Sequence, residues 1–126
     1  MKIFLDDIRT PPSGWKRTYT ANGTIYLIKI GQVTHLSLDH DLGDERYSGT
    51  GYDVMLYLEE RARMDPSFHM PDVKFHTSNP IGRKRMEQCL SSTLKFLDNL
   101  GSQGSSYKAR NHRRDKLVRN CNNGSK

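Results

Sequence analysis

The 126-residue chain lacks the features that mark secreted, membrane and zinc-binding proteins. It has no long apolar run, and the run at residues 2–5 is too short, and too soon followed by acidic residues, to be a signal peptide. Its two cysteines, Cys89 and Cys121, do not make a disulfide framework. The sequence has no Cys-x-x-Cys or His-x-x-x-His spacing, so zinc is not specifically indicated. We therefore expect a soluble protein of the reducing cytoplasm that has no membrane partner.

Hydrophobic residues are also scarce, at 34% of the chain with a mean hydropathy of −0.79, which predicts that part of the chain lies outside the core. Residues 1–100 contain 13 Lys/Arg and 13 Asp/Glu, whereas residues 101–126 contain 7 Lys/Arg against Asp115 alone. The net charge of +6 therefore lies entirely in the last segment. We expect one α/β domain over residues 1–100 and a basic C-terminal tail over residues 101–126.

Three short apolar runs have the composition of strands, at residues 2–5, 34–38 and 73–77. Between and after them, residues 52–63 and the segment from Pro80 to about Gly101 place apolar side chains at helical spacing. Strands that alternate with helices predict a small parallel α/β sheet with three main strands.

Residues 18–31 allow two interpretations. Asn22-Gly23 between Thr-rich and Tyr-rich flanks is a strong signal for a β-hairpin turn. The same segment also suits a helix that begins at a Thr20 cap, and Ile25 and Ile28 would lie on one face of it. A parallel sheet needs a crossover at this point, so the helix is favoured.

Polar side chains follow all three predicted strands. In parallel α/β sheets the ligand crevice lies beyond the carboxyl ends of the strands, so these groups are expected at one mouth. At the end of the first strand are two carboxylates, Asp6 and Asp7. The second strand leads into Asp39, His40 and Asp41, and the third into His76, Thr77, Ser78 and Asn79.

Convergent carboxylates with nearby imidazoles favour a hard divalent cation, Mg²⁺ or Mn²⁺, although imidazole also admits Zn²⁺ or Fe²⁺. The predicted metal ligands are Asp6, Asp7, Asp39 and Asp41. His40 and His76 are candidates for proton transfer, because an unperturbed imidazole titrates near neutrality. We expect the chain to turn at His40, which would bring Asp39, His40 and Asp41 to one mouth. If the strand stays extended instead, Asp39 and Asp41 point into the mouth and His40 points away, so His76 is preferred.

An anion such as phosphate is expected beside that cation. Arg9 is the nearest cationic side chain, and the helix that starts at Pro80 offers free N–H groups. The predicted phosphate-binding side chains are Thr77, Ser78, Asn79, Arg83 and Arg85.

Four linked motifs carry a resemblance to a known family. They are Leu5-Asp6-Asp7-Ile8-Arg9 with Pro11-Pro12, Ser37-Leu38-Asp39-His40-Asp41-Leu42-Gly43, Thr50-Gly51-Tyr52-Asp53-Val54, and His76-Thr77-Ser78-Asn79-Pro80-Ile81-Gly82-Arg83-Lys84-Arg85-Met86. Together, over residues 1 to about 98, they resemble the cyclic-phosphate-processing receiver-like domains of phages and bacteria.

The resemblance implies a three-layer sheet of the receiver-like, flavodoxin-like type. It implies that Asp6 and Asp7 match a receiver's acidic metal-binding pair, Asp39 its phospho-acceptor, and Ser78 or Thr77 its hydroxyl position. His40-Asp41 and His76 are additions to an ordinary receiver pocket, and no strand delivers the receiver's late lysine. Both departures favour hydrolysis over a phosphoryl switch.

The implied activity is a metal-assisted phosphoesterase that opens or processes cyclic phosphates on nucleotides or RNA ends, in the host cytoplasm if the chain is phage-encoded. Asp39, His76, His40 and Arg9 are the expected catalytic residues. One alternative is a non-catalytic module that sequesters or senses a nucleotide messenger or binds a protein partner. Another is a basic nucleic-acid-binding protein, with contact made through the tail.

Overall fold

The computed structural model describes residues 1–103 of the chain. They form four strands and four helices in the order β1 (Lys2–Leu5), β2 (Lys16–Thr18), α1 (Ala21–Lys29), β3 (His35–Leu38), α2 (Glu45–Ser48), α3 (Gly51–Met64), β4 (Asp72–Phe75) and α4 (Pro80–Gln103). Beyond Gln103, the predicted tail lies outside the described residues. Within the described part, no helix combines the length and apolarity needed to cross a membrane.

All four strands are parallel, in the order β2-β1-β3-β4, which confirms the predicted α/β fold. The three predicted strands are present as β1, β3 and β4. The fourth, β2, pairs with the outer edge of β1 and was not predicted. Its sequence, Lys-Arg-Thr, contains no apolar residue, so hydrophobic patterning gives no signal for it.

The segment after β2 is a helix, and the hairpin interpretation is wrong. The Thr20 side chain caps α1 by accepting a hydrogen bond from the Gly23 backbone N–H at 2.9 Å. Buried Thr24 ties the helix to β2 through a 2.7 Å hydrogen bond between its hydroxyl and that of Thr18. Burial of one helix face therefore outweighs the local turn preference of Asn22-Gly23.

The core lies on one face of the sheet. Alternate strand residues turn inward there and join buried side chains of α1, α3 and α4 in one cluster; the strand members are Ile3, Leu5, Leu36, Leu38 and Val73. Right-handed crossovers that advance in one direction place their helices on the same face. The described residues thus supply two of the three expected layers, a sheet and one layer of helices.

The opposite face of the sheet, which we call the open face, carries the other strand residues. They are Lys2 and Phe4 of β1, Arg17 of β2, His35 and Ser37 of β3, and Asp72 and Lys74 of β4. Phe4 is buried but does not belong to the core cluster, as its position on this face requires. In the described part of the chain, no helix covers the open face.

Candidate functional site

One residue from each of three strand ends meets its neighbours at the carboxyl edge of the open face. Asp6, Asp39 and His76 each follow the last residue of a strand, and those last residues are paired in register. The ladder continues for one more step, because the backbone N–H of Asp39 donates to the Leu5 carbonyl at 3.0 Å and that of His76 to the Leu38 carbonyl at 3.1 Å. One ligand atom from each of the three side chains therefore lies within 4.8 Å of the others.

Asp6 is held on both of its carboxylate oxygens. Oδ1 accepts the backbone N–H groups of Ile8 and Arg9, both at 2.8 Å, while Oδ2 lies 3.0 Å from His76 Nε2 and 3.1 Å from Arg9 Nη1. Burial raises the pKa of this carboxyl, but the two backbone hydrogen bonds and the His76 contact outweigh it and the pKa is lowered. Asp6 is therefore a buried anion that fixes the loop and the histidine together.

His76 is sandwiched between a carboxylate and a hydroxyl. Its Nδ1 lies 2.8 Å from Ser37 Oγ and its Nε2 faces Asp6, while its ring stacks on Phe4 at 4.2 Å between centroids and 3° between planes. Burial lowers the pKa of His76 more than Asp6 raises it, so the neutral form is favoured near pH 7. In that form Nε2–H donates to Asp6 and Nδ1 accepts the Ser37 hydroxyl proton.

Sequence reasoning did not single out Ser37 or Phe4. Strand alternation contains the signal for both, because Ser37 lies two residues before Asp39 and Phe4 two residues before Asp6. Each must share a face with the strand-end carboxylate that follows it.

The Asp39 carboxylate makes fewer hydrogen bonds than the Asp6 carboxylate. Its Oδ1 accepts its neighbour's backbone N–H at 2.7 Å, whereas its Oδ2 is 3.6 Å from Arg9 Nη1, an ion-pair distance too long for a strong hydrogen bond. Arg9 Nη1 also donates to the His76 carbonyl at 3.1 Å. Arg9 thus links the loop after β1 to the ends of β3 and β4, and its half-exposed guanidinium balances the two carboxylates.

Two carboxylates form a suitable donor set for a divalent cation, and the imidazole adds a third donor in its other tautomer, in which Nδ1–H faces Ser37 and Nε2 is unprotonated. Asp39 Oδ2 has unused acceptor capacity among the described residues, whereas Asp6 Oδ2 is shared by Arg9 and His76. A bound cation would therefore compete with Arg9 Nη1 for both carboxylates. The oxygen-rich set is compatible with Mg²⁺ or Mn²⁺, and the imidazole also admits softer metals.

A second Asp–His pair lies beside the first but faces elsewhere. His40 Nδ1 is 2.8 Å from Asp41 Oδ1, and the Asn79 side-chain amide donates to both Asp41 oxygens at 3.2 and 3.3 Å. Asp41 is outside the three-residue group, because the chain turns at His40, where the Gly51 backbone N–H binds the His40 carbonyl at 3.0 Å. Strand alternation ends there, so Asp39 and Asp41 do not share one mouth.

Two glycines allow the close packing around this turn. A Cβ on Gly82 of α4 would lie 2.5 Å from Cγ of the buried His40 ring. A Cβ on Gly51 of α3 would lie 2.0 Å from the Asp39 carbonyl oxygen. Helix starts can therefore approach the strand end closely only because both positions lack a side chain.

The loop between β4 and α4 is held by several of the side chains predicted to bind phosphate. Thr77 Oγ1 accepts the Asn79 backbone N–H at 3.1 Å, and Asn79 Oδ1 accepts that of Gly82 at 3.0 Å. Arg83 donates to the carbonyls of Phe75 and Thr77 at 3.2 and 3.3 Å. Their polar atoms thus already shape the loop.

Three predicted residues remain at the margin of this arrangement. Ser78 is exposed on the loop, and Asp7 is half-buried near Gly43. Arg85 stacks on the Tyr52 ring of α3, with its guanidinium carbon 4.2 Å from the ring centroid, so it is directed toward the groove between α3 and α4.

Comparisons with known proteins identify one family. The family described as the cyclic-phosphate processing receiver domain matches residues 1–92, which include both Asp–His pairs and the start of α4. Searches of curated proteins and of solved structures found no match.

Proposed function

The chain belongs to the cyclic-phosphate processing receiver family, and on that premise we propose that it opens cyclic phosphates on nucleotides or RNA ends by hydrolysis. The observation that carries the proposal is the buried meeting of Asp6, Asp39 and His76 beside the Arg9 guanidinium. An imidazole can act as the acid or base of phosphoester hydrolysis, and a guanidinium can stabilise the charge that develops on the phosphate oxygens.

In the proposed reaction a water oxygen bonds to phosphorus, one P–O bond of the ring breaks, and the released oxygen takes up a proton. His76 is the base. Its Nδ1 receives the proton through the Ser37 hydroxyl, and Asp6 stabilises the resulting imidazolium through Nε2–H. The same imidazolium then returns the proton to the released oxygen.

Asp39 and Arg9 act on the phosphate side of the site. Arg9 turns its guanidinium from the carboxylates toward the phosphate and stabilises the charge that develops on its oxygens. Asp6 and Asp39 would hold Mg²⁺ or Mn²⁺, whose chemistry is to polarise a phosphoryl oxygen and acidify water. In an alternative route the less occupied Asp39 Oδ2 bonds to phosphorus as the ring P–O bond breaks, and water then cleaves the aspartyl-phosphate and restores the Asp39 carboxylate.

The test is product analysis of a 2′,3′-cyclic phosphate substrate with added Mg²⁺ or Mn²⁺. We expect ring-opened product from the wild-type protein and about 10²–10⁴-fold slower turnover by Asp39→Asn and His76→Ala. Glu60→Gln and His69→Ala are matched controls, because both residues are exposed and lie outside the site. Wild-type turnover by both Asp39→Asn and His76→Ala would rule out the assignment.

A specific observation favours a second candidate, a module that binds a nucleotide without cleaving it. The Asp6 carboxylate already receives four contacts, and Arg9 already balances both acids, so the site is stable as a charge-paired receptor. Chromatography of a cyclic-nucleotide panel after incubation separates the two candidates. Recovery of bound but intact ligand would support the receptor and contradict the hydrolase.

A further inference from the structure

The open face places a tryptophan among cationic side chains. Trp15 precedes β2, and Lys2 Nζ and Lys74 Nζ lie 5.8 and 5.9 Å from the centroid of its ring. The His35 ring is 6.3 Å away and nearly perpendicular, at 74°. Trp15 is only half-buried, and both lysines are exposed, so this cluster is accessible to a ligand.

The cluster is continuous with the candidate site. Phe4, Ser37 and Lys74 are paired in register, and two residues further along the same strands lie Asp6, Asp39 and His76 on the same face. Two residues of strand span about 7 Å. The Phe4 ring is buried and stacks on His76, so His76 and Trp15 lie on the same face of the sheet, and a ligand that crosses this face can reach both.

The charge of this surface is complementary to a polyanion. Lys2 and Lys74 supply two cationic groups, and Asp72 opposes them from the first residue of β4, where its carboxylate lies 3.9 Å from His35 Nε2. An aromatic ring flanked by cations on an exposed sheet is the arrangement on which single strands of nucleic acid stack. Lys2 lies four residues before Asp6 along β1, about 13 Å, so a strand of two or more nucleotides spans the distance from the Trp15 cluster to the site.

We propose that the open face binds single-stranded RNA, with a base stacked on Trp15 and phosphates at Lys2 and Lys74, and leads its terminus to Asp6, Asp39 and His76. The inference rests on the proposed function for what happens at the terminus. It makes the substrate the end of an RNA strand.

Trp15 is the single tryptophan of the chain, so its fluorescence reports directly on this surface. The probe is a short single-stranded oligoribonucleotide that ends in a plain 3′-hydroxyl, so no turnover is involved. We expect it to quench Trp15, with affinity about tenfold weaker in the Lys2→Gln/Lys74→Gln variant and a salt slope lower by about 1.4. Lys84→Gln/Lys95→Gln, with two exposed lysines of α4 changed, is the matched control and keeps wild-type binding.

Trp15→Leu is tested by the anisotropy of a labelled oligonucleotide, and we expect about tenfold weaker binding. No quenching, or equal weakening in the two double-lysine variants, would overturn the proposal. It would also be overturned if truncation after Gln103 exposed Trp15 and strengthened binding, because the tail would then be the occupant. A dimer that dissociates in Trp15→Leu would assign the face to a second copy instead.

A turnover assay distinguishes failure of this inference from failure of the proposed function. Lys2→Gln/Lys74→Gln should raise KM about tenfold for an oligonucleotide ending in a cyclic phosphate and leave a cyclic mononucleotide unaffected. If wild-type protein cleaves neither substrate but Trp15 is quenched, the hydrolase proposal fails and the RNA surface stands. If both substrates are cleaved with unchanged constants in the variant, the RNA surface fails and the hydrolase stands.

Discussion

Within residues 1–103, two Asp–His pairs lie at the carboxyl edge of the sheet, and they differ in burial and in what they connect. The Asp6 side chain is 1% exposed and joins three strand ends through His76 and Arg9. The Asp41 side chain is 62% exposed, and its partners are His40 and the loop before α4. The same pair of residue types therefore joins three strand ends in one place and holds a turn in the other.

The largest expected effect separates the two histidines. His76→Ala removes the proposed base and should slow turnover of a cyclic phosphate by about 10²–10⁴-fold. His40→Ala removes a ring that packs on α4 and should slow turnover less than tenfold in the protein that remains folded. The measurement is kcat at saturating substrate, with circular dichroism to establish the folded fraction. Equal losses of kcat in the two variants would contradict the different roles assigned to His76 and His40.

The two aspartates should differ in their contribution to stability. Asp6→Asn weakens buried, charge-assisted hydrogen bonds and should lower the free energy of unfolding by about 2–3 kcal/mol. Asp41→Asn alters an exposed pair and should cost less than about 1 kcal/mol. Urea unfolding in buffer with a chelator measures both, because a bound cation would add its own stabilisation.

The Asp6 effect also has a defined pH dependence. The pKa of Asp6 is lowered from its ordinary value of 3.8, so its charged form is favoured in the folded protein. That stabilisation is fully present above pH 3.8 and is lost as the pH falls through the lower folded value. The difference in the free energy of unfolding between wild type and Asp6→Asn should therefore become smaller below pH 3.8. A constant difference down to pH 2 would contradict it.

Gly82 and Gly51 allow the backbone around the two Asp–His pairs to be compared. Gly82→Ala places a methyl group against the His40 ring and should cost about 1–3 kcal/mol of stability with little change in kcat. Gly51→Ala meets the Asp39 carbonyl, which cannot swing aside, so we expect at least that cost and a loss of activity as well. Ser91→Ala on the exposed face of α4 is the control, and thermal unfolding measures all three.

The sequence was sufficient to predict the fold class and the meeting of three strand ends. Asp6 and Asp39 directly follow the first two predicted strands, and His76 lies near the end of the third, which was predicted over residues 73–77 and ends at Phe75 in the structure. Parallel strands bring such ends to one edge. The turn at His40 was predicted, but it was expected to bring Asp39, His40 and Asp41 to one mouth. The separation of Asp41 from Asp39 was not predictable, because the direction of the turn depends on a distant contact from Gly51.

The uncovered second face of the sheet was also beyond prediction from patterning. The connection from β1 to β2 contains no helix, and β2 itself has no apolar residue. A prediction that expects strands and helices to alternate therefore misses both β2 and the helix-free connection. Ser37 and Phe4 acquire their roles from this face. Their positions two residues before a strand-end carboxylate are informative only once the ends of the strands are known.

The smallest expected effect concerns the hydroxyl that distinguishes the first pair from the second. Ser37 Oγ lies 2.8 Å from His76 Nδ1, so Ser37→Ala leaves the ring without its second anchor and without the proposed proton path. We expect kcat to fall about tenfold with KM unchanged, because the hydroxyl acts on the proton and not on substrate binding. Ser37→Thr keeps a hydroxyl and should recover most of the rate, whereas Thr34→Ala, at an exposed hydroxyl, should have no effect. If Ser37→Ala changed KM alone, the hydroxyl would be a substrate contact, and His76 would have to take the proton without it.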